Sequence, residues 1–246
     1  MNAVWLFWIT YLGLGAIASV LELVRPTRKL AYFRLDTLPL DLISCVLFQS
    51  VLFATASWLT SMVPLHFTAT RMIASVPLPL RVGAYYVLGD LGTYWMHRLM
   101  HTKGLWCFHR FHHSVTQMWW LSGVRATIPQ QVLYNMPYLF ITPMLVGAPS
   151  EVYAGLMVAG VLTNHWMHMN FSWRSNWLEK VFVTPRTHSI HHSADYDQHD
   201  GNYGTVFTLW DRLFGTYIDP DTTVVTAFGS RTPLRWYDAV RYQIGI

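Results

Sequence analysis

The chain has 246 residues, of which 52% are hydrophobic, 15% aromatic and only 12% charged, with a formal net charge of +4. That composition is unusual for a soluble domain and fits a membrane protein. Two cysteines, Cys45 and Cys107, form no CxxC pair, which argues against a disulfide framework or a thiolate zinc site. The positive charge follows from basic loops between apolar segments and calls for no nucleic-acid partner.

Taken in chain order, Val4–Val24 is uncharged except for Glu22, and Asp41–Val63 is uncharged after its first residue. Val76–Met96 carries Arg81 and Asp90 and is the weakest apolar run. Between Ala126 and Trp173 the only formal charge is Glu151, beside Gly147-Ala148-Pro149-Ser150, a tight turn between two apolar helices. Helices are expected at about 4–24, 41–63, 76–100, 128–147 and 151–169. A bilayer core takes about 20 helical residues, so the reading is an all-α integral membrane protein with about four to five membrane-embedded helices. No linker or low-complexity tract divides the chain, so 1–246 is expected to be one domain. The N-terminus has neither a basic start nor a cleavage site, and its helix is expected to remain as an anchor.

Charge asymmetry gives an orientation. Arg25, Arg28, Lys29 and Arg34 follow the first helix, whereas Arg71 is the only basic residue after the second. The positive-inside rule places Arg25–Arg34 in the cytoplasm and the His66–Arg71 loop outside. Alternation then brings the ends of the third and fifth helices, and the tail from Arg174 to Ile246, to the cytoplasmic side.

Eleven of the twelve histidines lie between His97 and His199. They form His97-x3-His101, His109-x2-His112-His113, His165-x2-His168 and His188-x2-His191-His192. On a helix, residues four apart differ by about 40° and three apart by about 60°, so each HxxHH triplet aims three imidazoles into one arc. Two triplets and an HxxxH pair, all expected at one membrane face, point to a metal site. His66 is expected on the far side as a loop residue. His199 sits in the acidic run Asp195-x-Asp197-Gln198-His199-Asp200.

Asp90-x3-Tyr94-Trp95-x-His97-Arg98-x2-His101, Leu105-Trp106-x2-His109-x2-His112-His113-Ser114 and Thr184-Pro185-x2-His188-x2-His191-His192-Ser193 together resemble the fatty acid hydroxylase and sterol desaturase superfamily. Asp200-x-Asn202-Tyr203-Gly204 and Trp210-Asp211-Arg212-Leu213-Phe214-Gly215-Thr216-Tyr217 fit the same pattern, so the motifs run over 90–217. The resemblance implies a membrane enzyme whose cytoplasmic helical cap holds a dinuclear centre of two iron ions, with O2 as co-substrate. Carried over by position, its ligands are His97, His101, His109, His112, His113, His188, His191 and His192, with His168 matching a His-x-Asn pattern. Some members place another histidine four residues before that position, where this chain has Asn164. His165 stands one residue later, and either ligates metal or caps the helix.

Asp90, within an apolar run, is expected either to orient a ligand imidazole or to pair with Arg98 or another basic group. Asp200 and Asp211 admit both an outer-shell role and plain loop or helix-cap roles. Trp119, Trp120 and Tyr94 suit a substrate channel or an ordinary interfacial belt. An unactivated C–H bond needs redox chemistry, and the chain carries no nicotinamide, flavin or four-cysteine iron–sulfur motif. Electrons would therefore come from an external donor, a ferredoxin or a small haem protein with its reductase, and the substrate would be lipid-like. A zinc hydrolase is disfavoured because no HExxH motif is present, and haem carriers need only two histidines per haem. A non-catalytic membrane metal-binding or electron-transfer protein is the alternative.

Overall fold

Apolar runs bounded by proline and glycine become the long helices. The computed structural model describes residues 3–29, 38–62 and 73–229. Its long helices are α1 (Ala3–Val24), α2 (Leu38–Met62), α3 (Leu78–Met100), α4 (Ile128–Ile141) and α5 (Ser150–His168). A shorter one, α6 (Pro185–His191), carries the last histidine triplet. Among the described residues all regular structure is helical, and the only β contacts are isolated bridges such as Pro26 with Phe171.

Local chemistry sets the boundaries. Pro77 caps α3 and Pro79 fills its first turn, where the missing N–H is no loss. Pro137 lies inside α4, and five residues after it the helix tightens into a 3-10 turn, Thr142–Leu145. Gly147, at φ +69, reverses the chain into α5, a conformation that favours glycine. Thr184 and Thr187 form a reciprocal capping box that starts α6.

The helices pack through small residues and a few buried polar anchors. A Cβ at Gly89 would fall 2.0 Å from the Tyr138 ring, and one at Gly92 would fall 2.4 Å from Pro137, so both glycines let α3 meet α4 closely. Glu22 on α1 is fully buried and accepts the backbone N–H of Trp120 and of Asn170, each at 2.8 Å. Asp41 on α2 pairs with the buried Arg125 and accepts the Trp119 indole N–H at 2.8 Å. These anchors tie α1 and α2 to the segments on either side of the histidines.

Large apolar side chains face outward along the helices, among them Leu12, Ile17 and Val24 on α1, Leu80 on α3 and Phe140 on α4. Among the described residues, however, no helix is long and apolar enough to cross a membrane. The side chains of α1 are described only from Trp8 onward. The basic loop is described as far as Lys29, and His66, Arg71 and the tail beyond Gly229 lie outside the described residues.

Candidate metal centre

Four chain segments deliver the histidines to one place. His97 lies in the last turn of α3 and His101 caps its C-terminus. His109 ends a single helical turn, Trp106–His109, and His112 and His113 follow in a 3-10 turn. His168 ends α5, while His188 and His191 lie on α6 with His192 as its cap.

Their nitrogens gather into two groups, each with all its ligand atoms within 4.8 Å of one another. One holds His97, His101, His109, His113 and His191; the other holds His112, His168, His188 and His192. The groups adjoin, with the His113 ring stacked on that of His192 at 4.6 Å. Each HxxHH triplet is therefore divided between the groups, where the spacing suggested a common focus. Both triplets split in the same way: residues four apart, His109 with His113 and His188 with His192, stay together, while His112 and His191, about 100° round from their next neighbours, turn to the other group.

The separations suit a shared ion. Nitrogens bound at about 2.1 Å and roughly 90° apart lie about 3.0 Å from each other. In the first group, His109 Nε2 is 3.0 Å from that of His97 and 3.1 Å from that of His113. In the second, His168 Nε2 is 3.1, 3.2 and 3.3 Å from those of His188, His192 and His112. Nε2 of His101 and of His191 is buried with no protein partner. Burial, reinforced by neighbouring histidines, pushes His109, His113, His188, His191 and His192 well below the usual imidazole range. Burial likewise pushes His112 down to about 4. Neutral, convergent, otherwise unpaired nitrogens are a donor set that fits a metal ion.

For four of the nine the opposite ring nitrogen is held by the backbone. Nδ1 of His97 donates to the Tyr203 carbonyl at 2.8 Å and that of His191 to Gly201 at 2.9 Å. His112 donates to Arg125 at 2.9 Å and His168 to Asn164 at 2.7 Å. These bonds fix the tautomer that points Nε2 inward. No sequence signal marks them, because every residue has a carbonyl.

Asp90 touches no histidine and takes neither expected role. It accepts the N–H groups of Val206 and Phe207 at 2.9 and 3.1 Å and the Trp210 indole at 2.8 Å. Asp211 accepts from Tyr203 and Gly204, both at 2.8 Å, and from the Thr216 hydroxyl at 2.7 Å. Burial raises the Asp211 carboxyl to about 6. Together they pin the loop whose Gly201 and Tyr203 carbonyls hold His191 and His97, with Asn202 between them at φ +53. Asp200 accepts from His101 Nδ1 at 3.0 Å and also meets His199 at 3.1 Å. His199 lies outside the two main groups, its ring parallel to that of Trp106.

His165 is not brought together with the other histidines. Its Nδ1 donates to the Trp120 carbonyl at 2.7 Å, and its Nε2 accepts the Tyr11 hydroxyl at 2.8 Å. Nε2 thus joins α5 to α1, and Nδ1 joins α5 to the Trp120 segment.

A cavity of about 260 Å³ opens between α3, α4 and α5 and reaches His97, His109, His112 and His188. Its lining runs from Tyr85 to His97 on α3 and from Tyr153 to Met167 on α5, a length of roughly 18–21 Å at the helical rise. Trp119, Trp120 and Tyr94 are not among its walls. Trp120 packs on Tyr11 instead, and Tyr94 stacks on Phe214 at 5.4 Å.

A helical protein whose buried histidines form two ligand groups beside an apolar cavity has the makings of a metal-dependent enzyme of hydrophobic substrates. The chain belongs to the fatty acid hydroxylase family, whose model matches residues 82–216. It is 32% identical over 154 residues to an ornithine lipid hydroxylase of Rhizobium tropici, covering 62% of this chain and 46% of the relative. It is 29% identical to an alkylglycerol monooxygenase of Homo sapiens, covering 63% and 34% respectively. A methylsterol monooxygenase of Arabidopsis thaliana is 28% identical, with 61% and 59% covered. The matches thus span between about a third and three fifths of these relatives' length. No solved structure matches the chain.

Proposed function

We propose that the protein is a membrane-bound, O2-dependent di-iron oxidoreductase that hydroxylates, or desaturates, a lipid-like substrate. The observation that carries this reading is the pair of adjoining imidazole groups at one end of an apolar cavity. One iron would be held by His97, His101, His109, His113 and His191, the other by His112, His168, His188 and His192. Iron bound there would supply the redox power to use dioxygen with two external electrons and two protons: in hydroxylation one oxygen atom would enter the substrate and one leave as water, and in desaturation both would leave as water.

The chain's own residues do the rest. Burial keeps the imidazoles neutral and ready to ligate, and the carbonyls of Arg125, Asn164, Gly201 and Tyr203 hold them in register. Leu145, Leu156, Met157, Val161 and Met167 line the cavity with apolar surface that takes a chain and excludes water. The relatives' names support a lipid substrate.

The membrane reading is supported by the composition and by the outward apolar side chains of α1 to α5, a surface that water would not tolerate over such an area. In that reading the metal site and the C-terminus face the cytoplasm, where a ferredoxin or a small haem protein with its reductase would deliver electrons. Purified protein is expected to carry two iron atoms per chain without haem absorption. With a reducing system and lipid extract it should yield a product heavier by one oxygen atom, or lighter by two hydrogens. Iron-free protein, or turnover that persists without dioxygen, would refute the assignment.

A further inference from the structure

The metal end of the cavity contains polar atoms that the ligand scaffold does not use. Gln131, in the first turn of α4, is 3% exposed, and Asn164 lies one turn before His168 on α5. Both line the cavity, and Gln131 Nε2 and Asn164 Nδ2 are buried without a hydrogen-bond partner. Buried amide N–H groups are normally paired, and leaving two unpaired in one cavity is costly unless a ligand completes them. Asn164 is fixed in place: its carbonyl holds His168, and a Cβ at Gly123 would come within 2.9 Å of its amide nitrogen. The neighbouring Gln130 interacts with His109 instead, raising its basicity.

Two unpaired donors on the wall of one cavity suit an acceptor oxygen with two lone pairs. No Lys or Arg lines the cavity, and beside the irons a phosphate or free carboxylate would be drawn onto the metal rather than left on two neutral amides. An ether oxygen is a poor acceptor. Resting on the oxygenase reading, we propose that Gln131 and Asn164 bind the carbonyl oxygen of an acyl linkage, an amide or ester, so that the enzyme prefers acyl lipids to ether lipids. Gln131 and Asn164 are thus specificity-determining residues. They hold the linkage beside His109 and His112, while the acyl chain runs along α5 toward Tyr153. The carbon presented for oxidation then lies within a few bonds of the carbonyl.

The test is binding to the iron-loaded full chain, kept anaerobic and without reductant so that nothing turns over. Three synthetic lipids of equal chain length serve as probes: an N-acyl amide, an ester and an ether. The amide and ester should bind roughly 10–100-fold tighter than the ether, as expected for one to two hydrogen bonds in a dry site. Gln131→Leu and Asn164→Leu should each remove about tenfold of that preference, leaving ether binding and iron content unchanged. The separate amide and ester arms show which acyl linkage is favoured. Equal binding of all three lipids overturns the proposal, as do variants that weaken all three alike or none. If that occurs in protein that holds two irons and still oxidises lipid, carbonyl recognition fails alone. Protein that holds no iron and makes no oxygen-dependent product overturns the reading beneath it.

Discussion

Replacing His165 and His168 separately with alanine distinguishes two histidines that the sequence presents alike. His165→Ala strands the Trp120 carbonyl in buried surroundings, while the Tyr11 hydroxyl keeps its contact with Cys45. At about 1–3 kcal/mol for a buried unpaired group, the loss is of that order. For a chain of this size each kcal/mol lowers the thermal midpoint by about 2–4 °C, so a fall of roughly 2–12 °C is expected. His165→Gln, with both a donor and an acceptor, should recover part of it. Iron content should stay at two atoms per chain, because His165 lies in neither ligand group. His168→Ala should instead lose iron, since its Nε2 is within 3.3 Å of three other Nε2 atoms. Its activity should fall beyond the 10–100-fold range typical of outer-shell partners. The assays are iron analysis and thermal unfolding in detergent on the same preparations. If His165→Ala loses as much iron as His168→Ala with its midpoint unchanged, the placement of His165 is refuted.

Gly160 lines the cavity and has open space where a Cβ would stand. Gly160→Leu should therefore keep both irons while shifting turnover toward shorter chains, read by product profiling; an unchanged chain-length profile would remove the cavity from the substrate path. Asp211→Ala frees the N–H groups of Tyr203 and Gly204, loosening the loop that positions His97 and His191, and should lower activity about 10–100-fold. His112 is neutral in the fold down to about pH 4 but protonates near pH 6.5 when unfolded. The unfolded state thus binds more protons in that window, so stability and iron retention should fall as pH drops from about 6.5 to about 4. A denaturation series flat across that window would contradict the burial of these imidazoles. For the membrane orientation, a tag after residue 246 and a probe near Arg28 should report the cytoplasm, and one near His66 the opposite side. A C-terminus found outside would sink the proposed sidedness.

Much of the architecture was legible because apolar periodicity and its interruptions are local. The turn at Gly147 to Ser150, the start of α3 beside Pro77 and the end of α5 at His168 all lie within two residues of where the sequence puts them. The clustering of histidines was equally plain from spacing. By contrast, the sequence kept two roles open for Asp90 and two for His165, and Asp90 took neither of its two. A carboxylate in an apolar helix must find donors, but which donors depends on a loop 116 residues away.

The sequence by itself determined helix content, the family-like histidine pattern and the gathering of polar ligands at one end of apolar segments, since each follows from residue type and short-range spacing. Only the tertiary structure decided how the ligands divide. His109 and His113 go with His97, whereas His112 goes with His168, because adjacent side chains point about 100° apart and the segments that meet there offer different partners in each direction. It alone also decided that backbone carbonyls hold the rings and that His165 joins α1 to α5. Those outcomes depend on which segments meet across the fold, and long-range packing selects among partners that local sequence leaves equivalent.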